Sequence, residues 1–369
     1  MTPSPQKLCA EVKAVLRLSG LFLAAVALAP WPAHARAVAD ALERPAVVVR
    51  SPERAVLLGA ARAGSRIVAV GERGIVILSD DEAQHWAQAS APVSVTLTAV
   101  KFADKDHGYA IGHGGTVLGT ADGGRGWTRL LDGQRIAQVM QVAAKASGDA
   151  AALKAADRLS ADGPDKPLLD LLVFDAKRVL VVGAYGIAMF TADGGATWNS
   201  WRARLDNPKE LHLYTVRQRG TRIVVAGEQG LVLQSLDGGA SFKRISVPYA
   251  GSFFTAELPD ERTIVVAGLR GNVWRSVDAG AGWVQVASPV PVSITASALR
   301  EDGELLIANQ AGMILGTQGE ALRPLNAAPL PPVNFVLPLD RARVLALTVQ
   351  GLQLIAFQSA DDARNRPSQ

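Results

Sequence analysis

Five short segments of the chain carry an acidic side chain in a pattern that could serve hydrolysis or ligand binding. Each has a Ser or Thr, an Asp two residues later, small residues, and an aromatic residue five positions after the Asp. The Asp and aromatic members are Asp81, Trp86, Asp122, Trp127, Asp193, Trp198, Asp237, Phe242, Asp278 and Trp283. Glycosidases use two carboxylates about 5–10 Å apart, and sialidases use a Tyr nucleophile. Glycoside hydrolysis is therefore the first function to consider for these acidic residues.

The repetition of the segment favours a structural role over a catalytic one. A Ser, Thr or Asp side chain accepts backbone N–H groups of its own turn, and Gly permits the positive φ angles that such turns need. The Trp buries a large flat surface where strands or neighbouring units meet. A single active site does not need its Asp in every copy, and we therefore interpret these ten residues as structural.

Signals for catalysis and metal binding elsewhere are weak. Asp170 and Glu210 are the acidic residues nearest the starts of predicted inner strands, and no R-I-P type triplet precedes the first segment. The histidines after the leader lack the i, i+4 spacing of a helix-borne metal site; they are His85, His107, His113 and His212. We predict no catalytic residue, no metal site and no cofactor.

The Asp segments belong to a longer repeat that also contains a G-x-x-G turn. The first positions of the seven copies of this turn are Gly71, Gly112, Gly183, Gly227, Gly268, Asn309 and Thr348. The successive gaps are 41, 71, 44, 41, 41 and 39 residues. A period near 41 residues, with one enlarged gap, indicates a repeat architecture.

Each repeat contains four short β-prone runs, which in the second copy are residues 97–102, 108–111, 116–120 and 127–131. Four strands in a unit of about 40–50 residues are typical of a β-propeller blade. We predict an all-β, seven-bladed propeller of four-stranded blades over residues 46–359, with six or eight blades as alternatives. The last unit offers three strands, and we expect the run Ala46–Arg50 to supply its outer strand and close the ring.

The enlarged gap contains the only helical pattern. Ile136, Val139, Met140 and Ala143 share one helix face, and a second helix follows the break at residues 147–149. We predict a helical hairpin inserted at residues 133–167, between blades 2 and 3. The polar residues 360–369 are expected to form a flexible tail.

The first 35 residues have the pattern of an export signal. Basic residues precede the apolar run 18–29, and Ala33-His-Ala35 offers a cleavage site. We expect a periplasmic or lumenal protein that associates with membranes, with an uncleaved anchor as the alternative. The formal net charge is +4, and the leader carries three Lys or Arg against one Glu. The nearly balanced remainder argues against nucleic-acid binding.

The pattern S/T-x-D-G-G-x-x-W resembles the Asp-box, or BNR, repeat. Together with the G-x-x-G turn it resembles the photosystem II stability/assembly factor family of seven-bladed propellers. The clearest copies are Gly112–Trp127 and Gly183–Trp198. The resemblance implies a non-catalytic lumenal or periplasmic protein that assists assembly of a membrane protein complex. Similar chains of non-photosynthetic bacteria tend to accompany exporters of the RND type.

In a propeller, the G-x-x-G turns and the connections between blades share one face, and the helical insertion leaves from that face. The units differ there, and aromatic and Arg residues are frequent anchors of protein interfaces. The predicted partner-binding residues are Arg73, His113, Tyr185, Tyr214, Gln229, Phe253, Phe254, Arg270, Gln310 and Asn334. We expect a chain that is monomeric alone and binds a photosystem-like or RND-type membrane complex; a sialidase-like, glycan-processing or glycan-binding propeller is the alternative.

Overall fold

The β-branched runs of each repeat pair as antiparallel strands. Successive side chains of a strand point to opposite faces, and apolar side chains on both faces of these small sheets are buried. The computed structural model describes residues 40–318 and 321–357. Within these residues seven sheets follow one another, six of four strands and one of three. The predicted seven-bladed all-β propeller is confirmed. The export leader and the predicted flexible tail lie outside the described residues.

The first strand of each blade is the innermost, and the following strands lie progressively further out. The strands of blades 1 and 2 are β1 (Leu57–Ala63), β2 (Arg66–Gly71), β3 (Val76–Ser79), β4 (Ala87–Ala89), β5 (Leu97–Phe102), β6 (Gly108–Gly112), β7 (Val117–Thr120) and β8 (Thr128–Leu131). Those of blades 3 and 4 are β9 (Leu168–Val173), β10 (Val179–Gly183), β11 (Ala188–Thr191), β12 (Asn199–Ser200), β13 (Leu213–Arg219), β14 (Arg222–Gly227), β15 (Val232–Ser235) and β16 (Lys243–Arg244).

The remaining three blades follow the same plan. Their strands are β17 (Phe253–Glu257), β18 (Ile264–Gly268), β19 (Val273–Ser276), β20 (Val284–Val286), β21 (Ile294–Leu299), β22 (Leu305–Asn309), β23 (Ile314–Gln318), β24 (Ala321–Pro324), β25 (Val333–Pro338), β26 (Arg343–Thr348) and β27 (Gly351–Ala356). Short 3-10 turns occupy Pro52–Arg54, Glu72–Gly74, His113–Gly115, Ala184–Gly186, Arg202–Arg204, Glu228–Gly230 and Leu269–Gly271.

The insertion between blades 2 and 3 is the predicted helical hairpin, formed by α1 (Gly133–Ser147) and α2 (Ala150–Asp162). Asp132 and Asp149 cap the two helices by accepting backbone N–H groups of their first turns. Gly148 ends α1 in the left-handed conformation, at φ 68°. The hairpin packs on blade 3, and its base lies against the G-x-x-G turn of blade 2, where the Gly115 N–H donates to the Lys166 carbonyl.

The ring closes differently from the sequence-based prediction. The run Ala46–Arg50 does not complete blade 7, because its backbone is bonded to blade 1. The Gln88 side chain of β4 donates to the Val47 carbonyl at 2.7 Å and accepts from the Val49 N–H at 3.0 Å. Blade 7 instead packs directly on blade 1 through a continuous apolar cluster that includes Leu57, Ile77 and Leu347. Hydrophobic burial between first and last blades therefore closes the ring.

Candidate functional site

The Asp segments lie on the turns between the third and fourth strands, and their carboxylates bind their own turns. In blade 3, Asp193 accepts from the Thr191 hydroxyl at 2.8 Å and from the Thr197 N–H at 2.9 Å. The same pair of contacts recurs at Asp81, Asp122, Asp237 and Asp278. In every copy one carboxylate oxygen accepts both bonds inside the turn, so each carboxylate is placed to hold the backbone.

The aromatic residue of each Asp segment packs at a junction between blades. Trp127 joins the apolar cluster of blades 1 and 2, Trp198 that of blades 2 and 3, and Phe242 that of blades 3 and 4. Trp283 lies at the next junction, and Trp86 lies where blade 7 meets blade 1. The aromatic residues of the Asp segments therefore contribute to the packing of the ring.

The G-x-x-G turns form the rim of the opposite face, and a close backbone approach explains their first glycine. A Cβ on Gly227 would lie 2.1 Å from the His212 carbonyl oxygen, and one on Gly268 would lie 2.2 Å from the Ser252 carbonyl. The same carbonyls accept the N–H of the next residue in the turn, at 3.0 Å and 2.9 Å. The turn is therefore hydrogen-bonded to the residue that precedes the innermost strand of its own blade.

The third residue of the rim turn has a left-handed backbone even where it is not glycine. Arg73, Tyr185, Gln229 and Arg270 have φ angles of 54°, 55°, 53° and 56°, and Gly114 occupies the equivalent position of blade 2 at 69°. All four non-glycine side chains are exposed on this face, as are His113 and Gln310. Non-glycine residues pay about 1–2 kcal/mol for this conformation, and such strain clusters at functional positions.

An arc of aromatic rings runs from the rim of blade 3 to the mouth of the central channel. Tyr185 lies 4.9 Å from the His212 ring, His212 lies 6.1 Å from Tyr214, and Tyr214 lies 5.2 Å edge-on from Phe254. The Lys166 ammonium lies 5.4 Å from the centre of the Tyr185 ring. We call the four rings the aromatic arc; they offer a continuous amphipathic strip across blades 3, 4 and 5.

Two groups at the arc have altered surroundings. Burial raises the pKa of the Tyr214 hydroxyl, and the nearby Glu228 carboxylate raises it further. The His212 Nδ1 lies 3.2 Å from Glu228 Oε2, and the His212 backbone N–H donates to the same oxygen at 3.2 Å. His212 was not among the residues predicted from the sequence to bind a partner. Its position between two segments that contain Tyr could have indicated that role.

The residues of the predicted face lie in three different places: the rim, the mouth of the central cavity and the core. Tyr214, Phe254 and Asn334 line the central cavity, and the Asn334 amide donates to the Leu57 carbonyl at 3.1 Å, across the ring closure. Phe253 is fully buried in the core, with its ring 5.5 Å from Tyr249. Successive residues of a strand point to opposite sides. Phe253 is therefore a core residue and is removed from the predicted face.

The central cavity has a volume of about 510 Å³ and contains a chain of ion pairs that sequence patterns did not reveal. Lys101 Nζ lies 3.0 Å from Asp170 Oδ1, and Asp170 Oδ2 accepts from Arg217. The Arg217 Nε lies 3.5 Å from Glu257, which accepts from the Ser297 hydroxyl at 2.8 Å. These residues come from the innermost strands of blades 2 to 6. The sequence feature that could have indicated these ion pairs is a charged residue within an otherwise apolar strand.

The pairing within this chain decides what Asp170 can do. Burial pushes the pKa of Asp170 upward, but Lys101 and Arg217 outweigh it and hold the pKa well below its ordinary value. The same burial lowers the pKa of Lys101 against the attraction of Asp170. A carboxylate that stays ionised and bonded on both oxygens is poorly suited to donate a proton. Glu210, the other acidic candidate, is paired with Arg202 at 2.7 Å.

Across residues 40–318 and 321–357, no three His, Cys, Asp or Glu side chains are grouped so that they could share a metal ion. None of the helices in this part of the chain has the length and apolar character to cross a membrane.

A family model described as Photosynthesis system II assembly factor YCF48 matches residues 78–147 and 160–251. The matched ranges run from the first Asp segment through blade 4. This part of the chain is similar to the YCF48 family. No curated protein has a sequence that matches it.

Solved structures extend the similarity in fold beyond these residues. A structure of YCF48 bound to a D1 peptide is 15% identical, covers 87% of this chain and 99% of its own, and has a TM-score of 0.62. YCF48 from Cyanidioschyzon merolae is 15% identical, with coverages of 83% and 96% and a TM-score of 0.60. The WD40 propeller domain of Doa1 is 11% identical, with coverages of 83% and 94% and a TM-score of 0.60. At these identities the structural matches establish the fold.

Proposed function

We propose that this propeller is a non-catalytic assembly factor that binds a membrane protein complex through its rim face. The observation that carries the proposal is the aromatic arc, which joins the rim of blade 3 to the channel mouth. Aromatic rings supply large apolar contact area at little conformational cost, and they are enriched among residues that dominate binding energy. The rim arginines Arg73 and Arg270 would pair with acidic groups of the partner.

We infer the class of ligand from the similar YCF48 structure and from the aromatic arc. The similar YCF48 structure holds a D1 peptide, which makes an extended segment of a membrane protein a reasonable ligand for this chain. A peptide lying across the aromatic arc would bury apolar side chains on Tyr185 and Tyr214. Its backbone would remain close to the exposed rim turns. We expect binding to require both the arc and the rim arginines.

A binding role is favoured over glycan processing. The carboxylate of Asp170 is held ionised by two cations, and Glu210 is paired with Arg202. Sialidase chemistry would also need an arginine cluster beside a Tyr nucleophile. Among the described residues that line the central cavity, Arg217 is the only arginine. No specific contact supports hydrolysis, and we do not propose it.

We also propose that the mature protein is exported to the periplasm and serves an RND-type exporter where the host lacks photosystems. The support is the leader pattern of residues 1–35 together with the resemblance described above. Cell fractionation followed by N-terminal sequencing tests the first part. We expect a periplasmic or membrane-bound protein that begins close to Arg36; a cytoplasmic protein that retains Met1 would overturn the export proposal.

Capture from solubilised membranes tests the rim face. The tagged mature protein should retain a membrane complex that is lost from the double variant Arg73→Glu, Arg270→Glu. Arg125→Glu is the matched control, because Arg125 is an exposed arginine of an Asp turn on the opposite face. Equal recovery of the same complex by the double variant and the control would refute the assigned face. Recovery of no membrane protein by the parent, even after crosslinking, would refute the function.

A further inference from the structure

The N-terminal arm, by which we mean residues 40–50, shows how this propeller holds an extended segment at its rim. In blade 1 the Ala46 N–H donates to the Ala91 carbonyl at 3.0 Å, and the Val47 N–H donates to the Arg73 carbonyl at 3.3 Å. Both carbonyls belong to the rim side of blade 1. The blade therefore binds the backbone of the arm without using its own strand edges.

The outer strand and the rim turn of blade 1 complete this contact. The Gln88 side chain donates to the Val47 carbonyl and accepts from the Val49 N–H. A Cβ on Gly74 would lie 3.2 Å from the Ala46 Cβ. The glycine thus leaves room for a small residue of the arm beside the bonded backbone.

Blade 4 has a groove built from the same positions of the repeat. At 2, 3, 17 and 20 residues after the first glycine of the rim turn, blade 1 has Arg73, Gly74, Gln88 and Ala91, and blade 4 has Gln229, Gly230, Arg244 and Val247. Strand pairing gives the same register, since Leu233 pairs with Arg244 as Ile77 pairs with Gln88. In blade 4 these four residues line a surface cavity of about 660 Å³, which we call the blade 4 groove.

Arg244 stands where blade 1 has Gln88, and this changes what the groove can bind. A Gln side chain donates and accepts, whereas an Arg guanidinium only donates. Arg129 has the same position in blade 2, and its terminal nitrogens donate to the Leu42 carbonyl at 2.7 Å and to the Glu43 carboxylate at 2.8 Å. An arginine at this position therefore recognises a backbone carbonyl together with an acidic side chain on the next residue.

The polar groups of the blade 4 groove have capacity for a ligand. The Arg244 side chain is exposed, and it forms no hydrogen bond or ion pair with any other residue in 40–318 or 321–357. The Val247 carbonyl accepts the Tyr249 N–H at 2.8 Å and keeps a second lone pair. Its counterpart in blade 1, the Ala91 carbonyl, accepts from the arm.

Other segments of this chain begin far from the groove. The arm is bound to blades 1 and 2. The chain after Phe357 leaves from the Asp-turn face of blade 7, because the Phe357 N–H donates to the Ala342 carbonyl in the hairpin of the first two strands. The blade 4 groove lies on the rim face, three blades away. The four residues between the predicted cleavage site and Asp40 would span at most about 14 Å, with blade 3 between them and the groove.

We propose that the blade 4 groove binds an extended segment of the membrane-protein partner that has a small residue two positions before an acidic one. The inference rests on the proposed function for the existence of that partner. Arg244 would bind a carbonyl and the acidic side chain, as Arg129 binds the arm. The carbonyls of Gln229 and Val247 would accept backbone N–H groups, and Gly230 would leave room for the small residue.

A labelled peptide of residues 44–50 carrying Val48→Glu, blocked at both ends, is the probe. It copies the part of the arm that blade 1 binds and places a carboxylate directly after the Val47 carbonyl. We expect fluorescence anisotropy to show binding to the mature protein, and the peptide that keeps Val48 to bind at least about tenfold more weakly. Equal affinity of the two peptides would overturn the assigned role of Arg244.

Two variants and a matched control locate the peptide. Arg244→Glu should weaken binding by about tenfold or more, and Ser246→Trp should do the same without a charge change, because Ser246 is exposed and lines the groove. Lys243→Glu is the control, since this exposed neighbour on the same strand points to the opposite face. Equal losses for Arg244→Glu and Lys243→Glu would indicate unspecific charge attraction and refute the site, as would no loss for Arg244→Glu.

Two further measurements identify the natural occupant. Asp361→Asn, Asp362→Asn in the full chain should leave peptide affinity unchanged; a clear increase would show that the chain's own tail competes for the groove. Sedimentation velocity should show that the parent is monomeric. A dimer that dissociates in Arg244→Glu would assign the groove to a second copy, and either result would overturn its assignment to a partner.

Capture from solubilised membranes separates this inference from the proposed function. The Ser246→Trp protein should recover less of the membrane complex than the parent does. A Ser246→Trp protein that fails to bind the peptide but recovers the complex in full would refute the role of the groove and leave the rim face standing. A parent that binds the peptide but recovers no membrane protein would refute the proposed function and, with it, the occupant assigned to the groove.

Discussion

Four rim residues combine an exposed side chain with a backbone conformation that suits glycine. The strained conformation is imposed by the turn, since the glycine of blade 2 adopts it at the same position. Glycine at these sites removes the side chain and also removes the steric cost, so it separates binding from folding better than alanine does. A glycine variant can therefore test the role of a rim side chain in binding without a large effect on stability.

We predict that Arg270→Gly retains the stability of the parent to within about 1 kcal/mol and weakens capture of the membrane complex. Urea unfolding measures the first effect, and recovery from solubilised membranes measures the second. Arg270→Ala is the matched control, because it removes the same side chain but keeps the strained backbone. A glycine variant that is clearly less stable than the alanine variant would show that strain is not relieved at this turn.

The carboxylates of the Asp turns predict an acid-sensitive fold. Hydrogen bonds from the Thr197 hydroxyl and N–H and from the Thr191 hydroxyl hold the pKa of Asp193 at about 2, and those at His85 hold the pKa of Asp81 at about 2. An unfolded Asp titrates near pKa about 3.9. A lowered folded pKa stabilises the protein above the unfolded value, and this contribution disappears as the pH falls through the folded value.

We therefore expect the melting temperature to fall steeply between about pH 4 and pH 2, after allowing for the other carboxylates. Asp193→Asn should lower the melting temperature at pH 7 and make the acid decline shallower. Thermal unfolding followed by circular dichroism across this range is the measurement. A variant whose melting temperature declines in parallel with that of the parent would contradict the assigned role of Asp193.

The helical hairpin is an element whose existence, caps and position follow from local sequence. Its helical periodicity, the Ser147-Gly148-Asp149 break and the enlarged repeat gap together indicate two helices between blades 2 and 3. The face that packs was less predictable, because Ala143 proves exposed while Ala137 and Ala144 are buried. Helix periodicity defines an apolar stripe, but the neighbouring blade decides which side of the stripe is covered.

We predict that Ile136→Ala lowers the free energy of unfolding by about 2–5 kcal/mol, because the side chain is 1% exposed in the cluster of blades 2 and 3. Val142→Ala on the same helix should change it by no more than about 0.5 kcal/mol, since Val142 is 68% exposed. Chemical denaturation of both variants is the measurement. Similar losses for the two variants would show that the hairpin does not pack on blade 3 in the way described.

At the scale of the whole ring, the ion pairs of the central channel link blades 2 to 5, and a hydrogen bond from Ser297 to Glu257 extends the chain to blade 6. Asp170 is their centre, because it meets Lys101 of blade 2 and Arg217 of blade 4. Removing one member of a buried ionic group leaves its partners uncompensated, which costs more than the intact pair contributes. The innermost strands are thereby tied to one another around the cavity.

We predict that Asp170→Asn destabilises the propeller by about 3–5 kcal/mol. The double variant Lys101→Met, Asp170→Leu should recover part of this loss, because it leaves Arg217 paired with Glu257. Equilibrium unfolding in denaturant compares the two. If the double variant were less stable than Asp170→Asn, the cost would lie in lost packing or lost hydrogen bonds to blade 4 and not in uncompensated charge.

The sequence by itself favoured seven blades over six or eight, and it determined the place of the hairpin and the structural role of the repeated Asp turns. Periodicity of apolar residues, glycine at fixed distances and Asp–Ser/Thr spacing are local signals, and local backbone geometry imposes them on each repeat alike. This is why β5 (Leu97–Phe102) and its neighbours match the predicted runs within one residue.

Only the tertiary structure decided how the ring closes, which face residues reach solvent and which charges meet in the channel. Ala46–Arg50 and Phe253 both depend on residues outside their own segments, one on Gln88 and the other on the apolar cluster that blades 4 and 5 share. Lys101, Asp170 and Arg217 come from different repeats and meet because the innermost strands surround one axis. Contacts across that axis join residues about 50–70 positions apart, a separation at which no local pattern specifies a partner.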